Sequence, residues 1–212
     1  MSLVPTDPAQ VSEITEVAKT LRSALEAASG FGKYMADVAG DIPHDLVGIV
    51  GDRLKIYRMV QAHKAAQKAY EGLRTRGIDP IEEPSPSIVL PILEGAVNEG
   101  REELADLWAK LLEASIDPSR ANKVRREFIE IVKSMEPLDA RVLPLVQSQA
   151  QGTMRDVFAS RLKVNPDEIE VSFFHLIDLK VAANAYSEAN PTAIANIYVS
   201  PRGRELARLL NI

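Results

Sequence analysis

The chain has 212 residues, no cysteine and a formal net charge of -5, from 25 Lys and Arg against 30 Asp and Glu. The lack of cysteine excludes disulfides, thiolate nucleophiles and thiolate metal ligands. The acidic balance argues against bulk affinity for nucleic acid, which requires clustered lysine and arginine. Long stretches are dominated by Ala, Leu, Glu and Arg without alternating apolar runs, so we predict a mainly α-helical fold.

The first predicted helix begins at Pro8 and ends at Gly30, and a glycine-rich segment follows it. Within that segment Gly32, Ala36 and Gly40 recur at intervals of four, so a helix here would present a smooth face for close approach. Glycine weakens any helix that it enters. We therefore predict a short helix flanked by flexible turns, with an oligomerisation or membrane-surface element as the alternative.

The N-terminal sequence contains no targeting signal that we recognise. Residues 1–8 lack the basic and apolar regions of a signal peptide. A membrane span needs about 20 mostly apolar residues, and charged residues interrupt the nearest candidate, residues 27–50. We expect a soluble, cytoplasmic protein.

Residues 52–76 follow a helical pattern with two contrasting sides. We predict that one side packs inward, and its residues are Leu54, Ile56, Met59, Val60, His63, Gln67 and Tyr70. The other side is strongly basic, and its cations are Arg53, Lys55, Arg58, Lys64, Lys68, Arg74 and Arg76. Such a face suits nucleic acid, anionic lipid or an acidic partner. The simpler interpretation is that it faces solvent or an acidic helix further along the chain.

The helix of residues 102–112 is the most informative segment. Its apolar residues follow the i, i+3, i+4, i+7, i+8 rule, and they are Leu104, Leu107, Trp108, Leu111 and Leu112. We predict that they anchor the core. The acidic residues are placed on the solvent-facing side, and they are Glu102, Glu103, Asp106 and Glu113.

The next predicted helix contains the apolar residues Val124, Phe128, Ile131, Val132 and Met135, with Phe128 as a further core anchor. Basic residues cluster at its start, and they are Arg120, Lys123, Arg125 and Arg126. Positive charge opposes the dipole at a helix N-terminus. This placement indicates an acidic partner, such as the helix of residues 102–112. The candidate partner-binding residues are Arg53, Lys55, Arg58, Lys64, Lys68, Arg125 and Arg126.

Residues 102–112, the Asp117-Pro118 pair that closes this segment and residues 128–140 together resemble the Abi-alpha family of bacterial abortive-infection-like proteins. The resemblance implies a setting in antiphage defence. It implies no mechanism, and the family provides no established catalytic or binding residues to transfer to this chain.

The C-terminal third resembles a winged-helix domain. We predict helices at residues 138–149, 153–162 and 167–180, with a bend or interruption at Pro144. Two short strands, around Tyr186 and at 193–199, would form the wing before a last helix capped by Ser200. The third helix begins with acidic residues, which phosphates would repel, so we expect the wing to dock a protein or form a dimer.

We predict four parts in the chain. Residues 1–78 form an N-terminal helical arm with the glycine-rich segment, 79–87 a proline-rich connection, 88–136 a central Abi-alpha-like helical core and 137–212 the winged-helix-like domain.

Motifs of catalysis are absent from the sequence. Neither common nucleotide-binding loop occurs, and no GxSxG elbow is present. The three histidines, His44, His63 and His175, lack metal-ligand spacing, so we predict no metal, no cofactor and no enzymatic activity.

The leading hypothesis is a defence protein that binds a protein partner, with homo-oligomers as a further option. One alternative is a nucleic-acid-binding regulator that uses residues 53–76 and the wing. Another is membrane perturbation through residues 32–50.

Overall fold

The computed structural model describes residues 49–78, 84–148, 155–186 and 194–212. These ranges form a mainly α-helical fold with one small sheet, which confirms the predicted fold class at that level. In chain order the elements are α1 (Ile49–Thr75), α2 (Pro86–Asn98), α3 (Glu102–Ser115), α4 (Arg126–Ser134), α5 (Pro137–Ser148), α6 (Arg155–Leu162), α7 (Pro166–Asp178), β1 (Ala182–Tyr186), β2 (Ile194–Val199) and α8 (Pro201–Leu210). A short 3-10 turn, Ala121–Lys123, precedes α4.

Several predictions fall outside the described residues. They are the helix of residues 8–30, nearly all of the segment proposed for membrane contact at 32–50, and most of the proline-rich connection. The four-part division of the chain also stays a prediction.

Helices α1, α2 and α3 pack against one another around the only tryptophan of the chain. Trp108 is 3% exposed, and Leu104, Leu107, Leu111 and Leu112 are buried beside it in one hydrophobic cluster. A Cβ added at Gly95 of α2 would overlap the indole ring, so the glycine lets the two helices meet closely.

The inward face of α1 differs from the predicted one. Among the described side chains of α1, the buried ones are Ala65, Ala69 and Leu73, whereas Gln67 and Tyr70 are exposed. The prediction weighted large side chains, but small ones let α1 approach α3 closely. The core face of α1 is therefore a stripe of alanines that ends in a leucine.

The C-terminal part contains α5, α6 and α7, the β1–β2 hairpin and α8. Phe158 of α6 meets Phe173 of α7 edge to face, with ring centroids 5.9 Å apart. The helix α5 runs through Pro144 without interruption, which corrects that part of the prediction. Strand β1 pairs with β2 antiparallel, from Ala182 opposite Val199, so the predicted pair of strands is present.

Side-chain caps fix the starts of α7 and α8. Asn165 accepts a hydrogen bond from the Asp167 N–H at 2.9 Å, and Glu168 accepts one from the Asn165 N–H at 3.2 Å. This is a capping box, which satisfies two helix-terminal donors. Ser200 accepts from the Gly203 N–H at 3.0 Å, as predicted for the last helix.

The core is continuous from α1 to α8. One hydrophobic cluster includes Ala65 and Leu73 of α1, Phe128 of α4 and Leu210 of α8. The predicted anchor at Phe128 thus lies in the same core as Trp108.

Candidate functional site

Four ionised side chains meet where the C-terminal ends of α1 and α3 come together. The Arg76 guanidinium lies 2.6 Å from Glu113 Oε1 and 2.8 Å from Asp117 Oδ2, both measured from Nη2. Arg120 Nη2 lies 2.7 Å from the same Glu113 oxygen, and its Nε lies 2.7 Å from Asp117 Oδ2. We call Arg76, Glu113, Asp117 and Arg120 the charge cluster.

Both carboxylates of the charge cluster are buried, with Glu113 8% exposed and Asp117 0% exposed. Burial of an unpaired carboxylate is costly, so each needs the two guanidinium groups. Asp117 Oδ1 also accepts hydrogen bonds from the N–H and the hydroxyl of Ser119, at 2.8 and 2.7 Å. Each buried carboxylate of the charge cluster is therefore paired with both guanidinium groups.

The pKa of Asp117 reflects two opposed effects. Desolvation acts to raise it, but hydrogen bonds from Ser119, Arg120 and Arg76 act in the other direction and prevail. The pKa is therefore held well below the usual range of an aspartate. Asp117 is ionised in the folded state.

Two neighbouring contacts lock the charge cluster into the fold. Arg120 Nη1 donates to the Leu209 carbonyl of α8 at 2.8 Å, although the two residues are 89 positions apart. On the α1 side, a Cβ added at Gly72 would overlap the Glu113 carboxylate. Glycine at this position gives the carboxylate its space between the two helices.

Glu113 was predicted to lie on the solvent-facing side of α3, and this prediction was wrong. The residue continues the acidic side of α3, but α1 covers the C-terminal end of that side. Asp117 was predicted only to end the helix. The available signal was the spacing Glu113, Asp117 and Arg120 at i, i+4 and i+7, together with cations placed against the dipole of α4.

The predicted partner-binding residues of α1 have different surroundings. Arg58 Nε donates to Asn98 Oδ1 at 3.1 Å, Lys68 pairs with Asp106 of α3, and Lys64 is exposed. Arg53 and Lys55 lie in the first turns of α1, and their side chains are outside the described set. Part of the basic face of α1 thus meets the acidic face of α3.

Lys110 lies on α3 between Asp106 and Glu113. Burial lowers the pKa of its ammonium group, while the charges of Asp106 and Glu113 oppose that shift. The side chain is half-buried, so the α1–α3 contact contains charge along much of its length.

Arg125 and Arg126 lie at the start of α4, and both are exposed. Arg125 Nη1 is 3.3 Å from Glu127 Oε1, whereas Arg126 lines a shallow groove with Leu90 and Ile129. The structure therefore separates these two arginines from the cations of α1.

A second buried polar group joins α5 to α7. Asp139 Oδ1 accepts from the Ser172 hydroxyl at 2.6 Å, and its Oδ2 lies 2.6 Å from His175 Nδ1. The same Oδ2 accepts from the Glu136 N–H at 2.8 Å. Because the serine bonds the aspartate and not the histidine, this is not the serine–histidine–aspartate relay of a hydrolase. It fixes the packing of the two helices.

The outward side of α7 is apolar in its middle and acidic at its ends. Val171 is 68% exposed and Phe174 is 43% exposed, and Asp167, Glu168 and Asp178 are exposed on the same side. These five residues recur at helical spacing and form one continuous surface, which we call the outer face of α7.

The described residues contain neither a metal-ligand cluster nor a membrane-spanning helix. Within residues 49–78, 84–148, 155–186 and 194–212, no three His, Asp or Glu side chains converge as a metal site requires. Among the helices of that same portion, none combines the length and the apolar character needed to cross a bilayer.

The model of the family described as Abortive infection alpha matches residues 59–198, which is more than half of the 212 residues. This chain belongs to the Abortive infection alpha family. Membership confirms the resemblance of residues 102–140 and suggests defence of the abortive-infection type. Neither the curated proteins nor the solved structures contain a match to this chain.

The family segment includes the charge cluster and Asp139, whereas α8 lies beyond its end at residue 198. The Leu209 carbonyl that Arg120 contacts is thus supplied from outside the matched segment.

Proposed function

We propose that this Abortive infection alpha protein acts in antiphage defence as a non-enzymatic protein that binds another protein through its C-terminal part. The observation that supports this proposal most is the outer face of α7. Family membership supports the defence setting, and the outer face of α7 supports the proposed mode of action.

The proposal includes a winged-helix-like arrangement of the C-terminal part. Its support is the element order, in which α5, α6 and α7 precede an antiparallel hairpin and a closing helix. In winged-helix proteins that read DNA, the third helix enters the major groove. The proposal assigns α7 to the place of that helix, because it is the third helix before the hairpin.

The composition of the outer face of α7 suits binding to a protein and not to duplex DNA. Helices that read bases need Arg, Lys, Asn or Gln on their outer face, and phosphates would be repelled by Asp167, Glu168 and Asp178. Exposed apolar side chains surrounded by polar ones are typical of protein interfaces. The partner that fits has an apolar anchor bordered by lysine or arginine.

The nucleic-acid alternative through α1 receives less support. Arg76 pairs with both buried carboxylates of the charge cluster. A cation that is held in this way releases few counterions from DNA, so little salt-dependent affinity is expected from it.

Plaque counting tests the defence role and the surface together. A sensitive host that expresses the chain should give fewer plaques, and the double substitution Val171→Asp with Phe174→Asp should abolish that protection. The matched control is Tyr70→Asp on α1, because Tyr70 and Phe174 are both 43% exposed. The control should protect as well as the unmodified chain.

Two results would contradict the proposal. Unchanged plaque numbers across a broad phage panel would count against the defence role. Full protection by the α7 double variant, at equal protein abundance, would remove the outer face of α7 from the mechanism.

A further inference from the structure

A pocket of about 180 Å³ lies between the turn after α3, the start of α4 and α8. Its cationic lining residues are Arg120, Lys123, Arg125 and Arg208, and among its described lining residues Glu205 is the one carboxylate. We call this the basic pocket. It unites cations from two segments that lie far apart in the sequence.

Three of these cations point toward solvent and are only weakly engaged. Lys123 is exposed, Arg125 has an exposed pair with Glu127, and Arg208 has an exposed pair with Glu205. Exposed ion pairs contribute little to stability and exchange readily with other anions. An incoming anion therefore meets little competition.

The fourth cation, Arg120, is held rigidly. Its Nε, Nη1 and Nη2 donate to Asp117, Leu209 and Glu113. A guanidinium group has five N–H donors, so two of them remain after these three bonds. A fixed guanidinium with spare donors is pre-organised for an oxyanion.

We propose that the basic pocket binds the phosphate group of a small phosphorylated molecule. Several cations that line one pocket suit the multiple charge and the three acceptor oxygens of phosphate better than a single carboxylate. The Asn122 side chain in the lining provides a neutral amide donor. At about 180 Å³ the pocket has the size for a compact ligand and not for an extended nucleic-acid backbone.

Ligand binding in the basic pocket would reach the protein interior through Arg120. One guanidinium contacts the pocket and both buried carboxylates of the charge cluster. A phosphate there would hold the α3–α4 turn against α8. Because a ligand that binds only the folded state stabilises it, thermal unfolding reports occupancy.

Calorimetric titration and thermal unfolding of the full chain test the proposal with four probes. They are inorganic phosphate, pyrophosphate, ATP and a short single-stranded oligonucleotide, each against chloride at equal ionic strength. We expect pyrophosphate and ATP to bind and to raise the melting temperature. Binding of inorganic phosphate and pyrophosphate alone would assign the site to free phosphate, and stronger binding of ATP would assign it to nucleotides.

Reversing the charge of pocket-lining cations tests whether the phosphate probes bind in the basic pocket. The double substitution Lys123→Glu with Arg208→Glu should raise the Kd by about tenfold or more, since two cations are lost from the pocket. The matched control is Lys133→Glu with Arg161→Glu, because both residues are exposed and the net charge changes equally. The control should leave the Kd within about twofold.

The milder pair Lys123→Gln with Arg208→Gln provides the same test if the reversal disturbs folding, which the emission of the buried Trp108 reports. Three results would overturn the proposal: no binding of any phosphate probe, equal weakening in the control, or binding of the oligonucleotide alone.

Discussion

The α1–α3 contact and the basic pocket both contain clustered cations, but they differ in what those cations meet. Arg76, at the end of α1, meets two buried carboxylates of the same chain. In the basic pocket, Arg125 and Arg208 pair with carboxylates near the surface, and Lys123 is exposed. A cationic stripe in a sequence therefore indicates a binding surface only after internal pairing has been taken into account.

The two regions also differ in energetic terms. An exposed pair contributes about 0–1 kcal/mol, whereas removal of one member of a buried pair costs about 3–5 kcal/mol. The larger cost arises because the remaining charge stays buried without a partner. The charge cluster should therefore respond strongly to substitution and the surface cations weakly.

The largest expected effect is that of Asp117→Ala. This residue is 0% exposed, so its loss would leave Arg76 and Arg120 facing a single carboxylate. We expect the free energy of unfolding to fall by about 3–5 kcal/mol. Urea denaturation followed by the emission of Trp108 measures the change.

The control for that measurement is Glu205→Ala, which removes a carboxylate whose side chain is 56% exposed. Its effect should stay within about 0.5 kcal/mol. Equal losses in the two variants would contradict the distinction between buried and surface pairs.

An intermediate effect is expected for Gly72→Ala. The new methyl group would overlap the Glu113 carboxylate, which Arg76 and Arg120 hold in place. Overpacking of this kind typically costs about 1–3 kcal/mol, even though alanine favours a helix. If the clash were the whole cost, adding Glu113→Ala to the variant would restore the lost stability. We expect a smaller recovery, because Arg76 and Arg120 then lose a partner.

Acid should weaken the charge cluster in a defined pH window. The folded pKa of Asp117 lies below the ordinary aspartate value of about 3.9, so its contribution is complete above that pH and is lost as the pH falls further. One proton gives a slope of at most about 1.4 kcal/mol per pH unit. Denaturation at several pH values should show a shallower acid slope for Asp117→Asn, and identical slopes would refute the assignment.

The smallest expected effect concerns Lys68 and Asp106. Their side chains are 48% and 47% exposed, so a double-mutant cycle with alanine should give a coupling energy of about 0.2–1 kcal/mol. High salt should reduce this coupling. A coupling above about 2 kcal/mol would place the pair with the buried ones.

Local signals in the sequence were sufficient to predict much of the fold. Periodicity located α1 and α3 to α8 within a few residues, and the capping serine at position 200 marked the start of α8. Leucine spacing placed Trp108 in the core, where it is buried. These features depend on residues that lie within one or two helical turns of one another.

Non-local features were predicted poorly. The burial of Glu113 depends on the path of α1 across α3, and the contact of Arg120 with Leu209 joins residues 89 positions apart. The inward alanines of α1 are weaker signals than its larger side chains, so Gln67 and Tyr70 were wrongly placed on the inward side. The basic pocket requires α8 to pack beside the α3–α4 turn, and no local pattern specifies that.

The close packing of Gly203 against Val181 couples α8 mechanically to the hairpin. A Cβ added there would overlap the carbonyl oxygen of Val181, so the main chain of α8 rests directly on the residue that precedes β1. With no flexible group between them to absorb displacement, the base of the hairpin and the helix must shift together. A displacement of the strands would therefore displace α8, and with it Arg208 in the last turn of that helix.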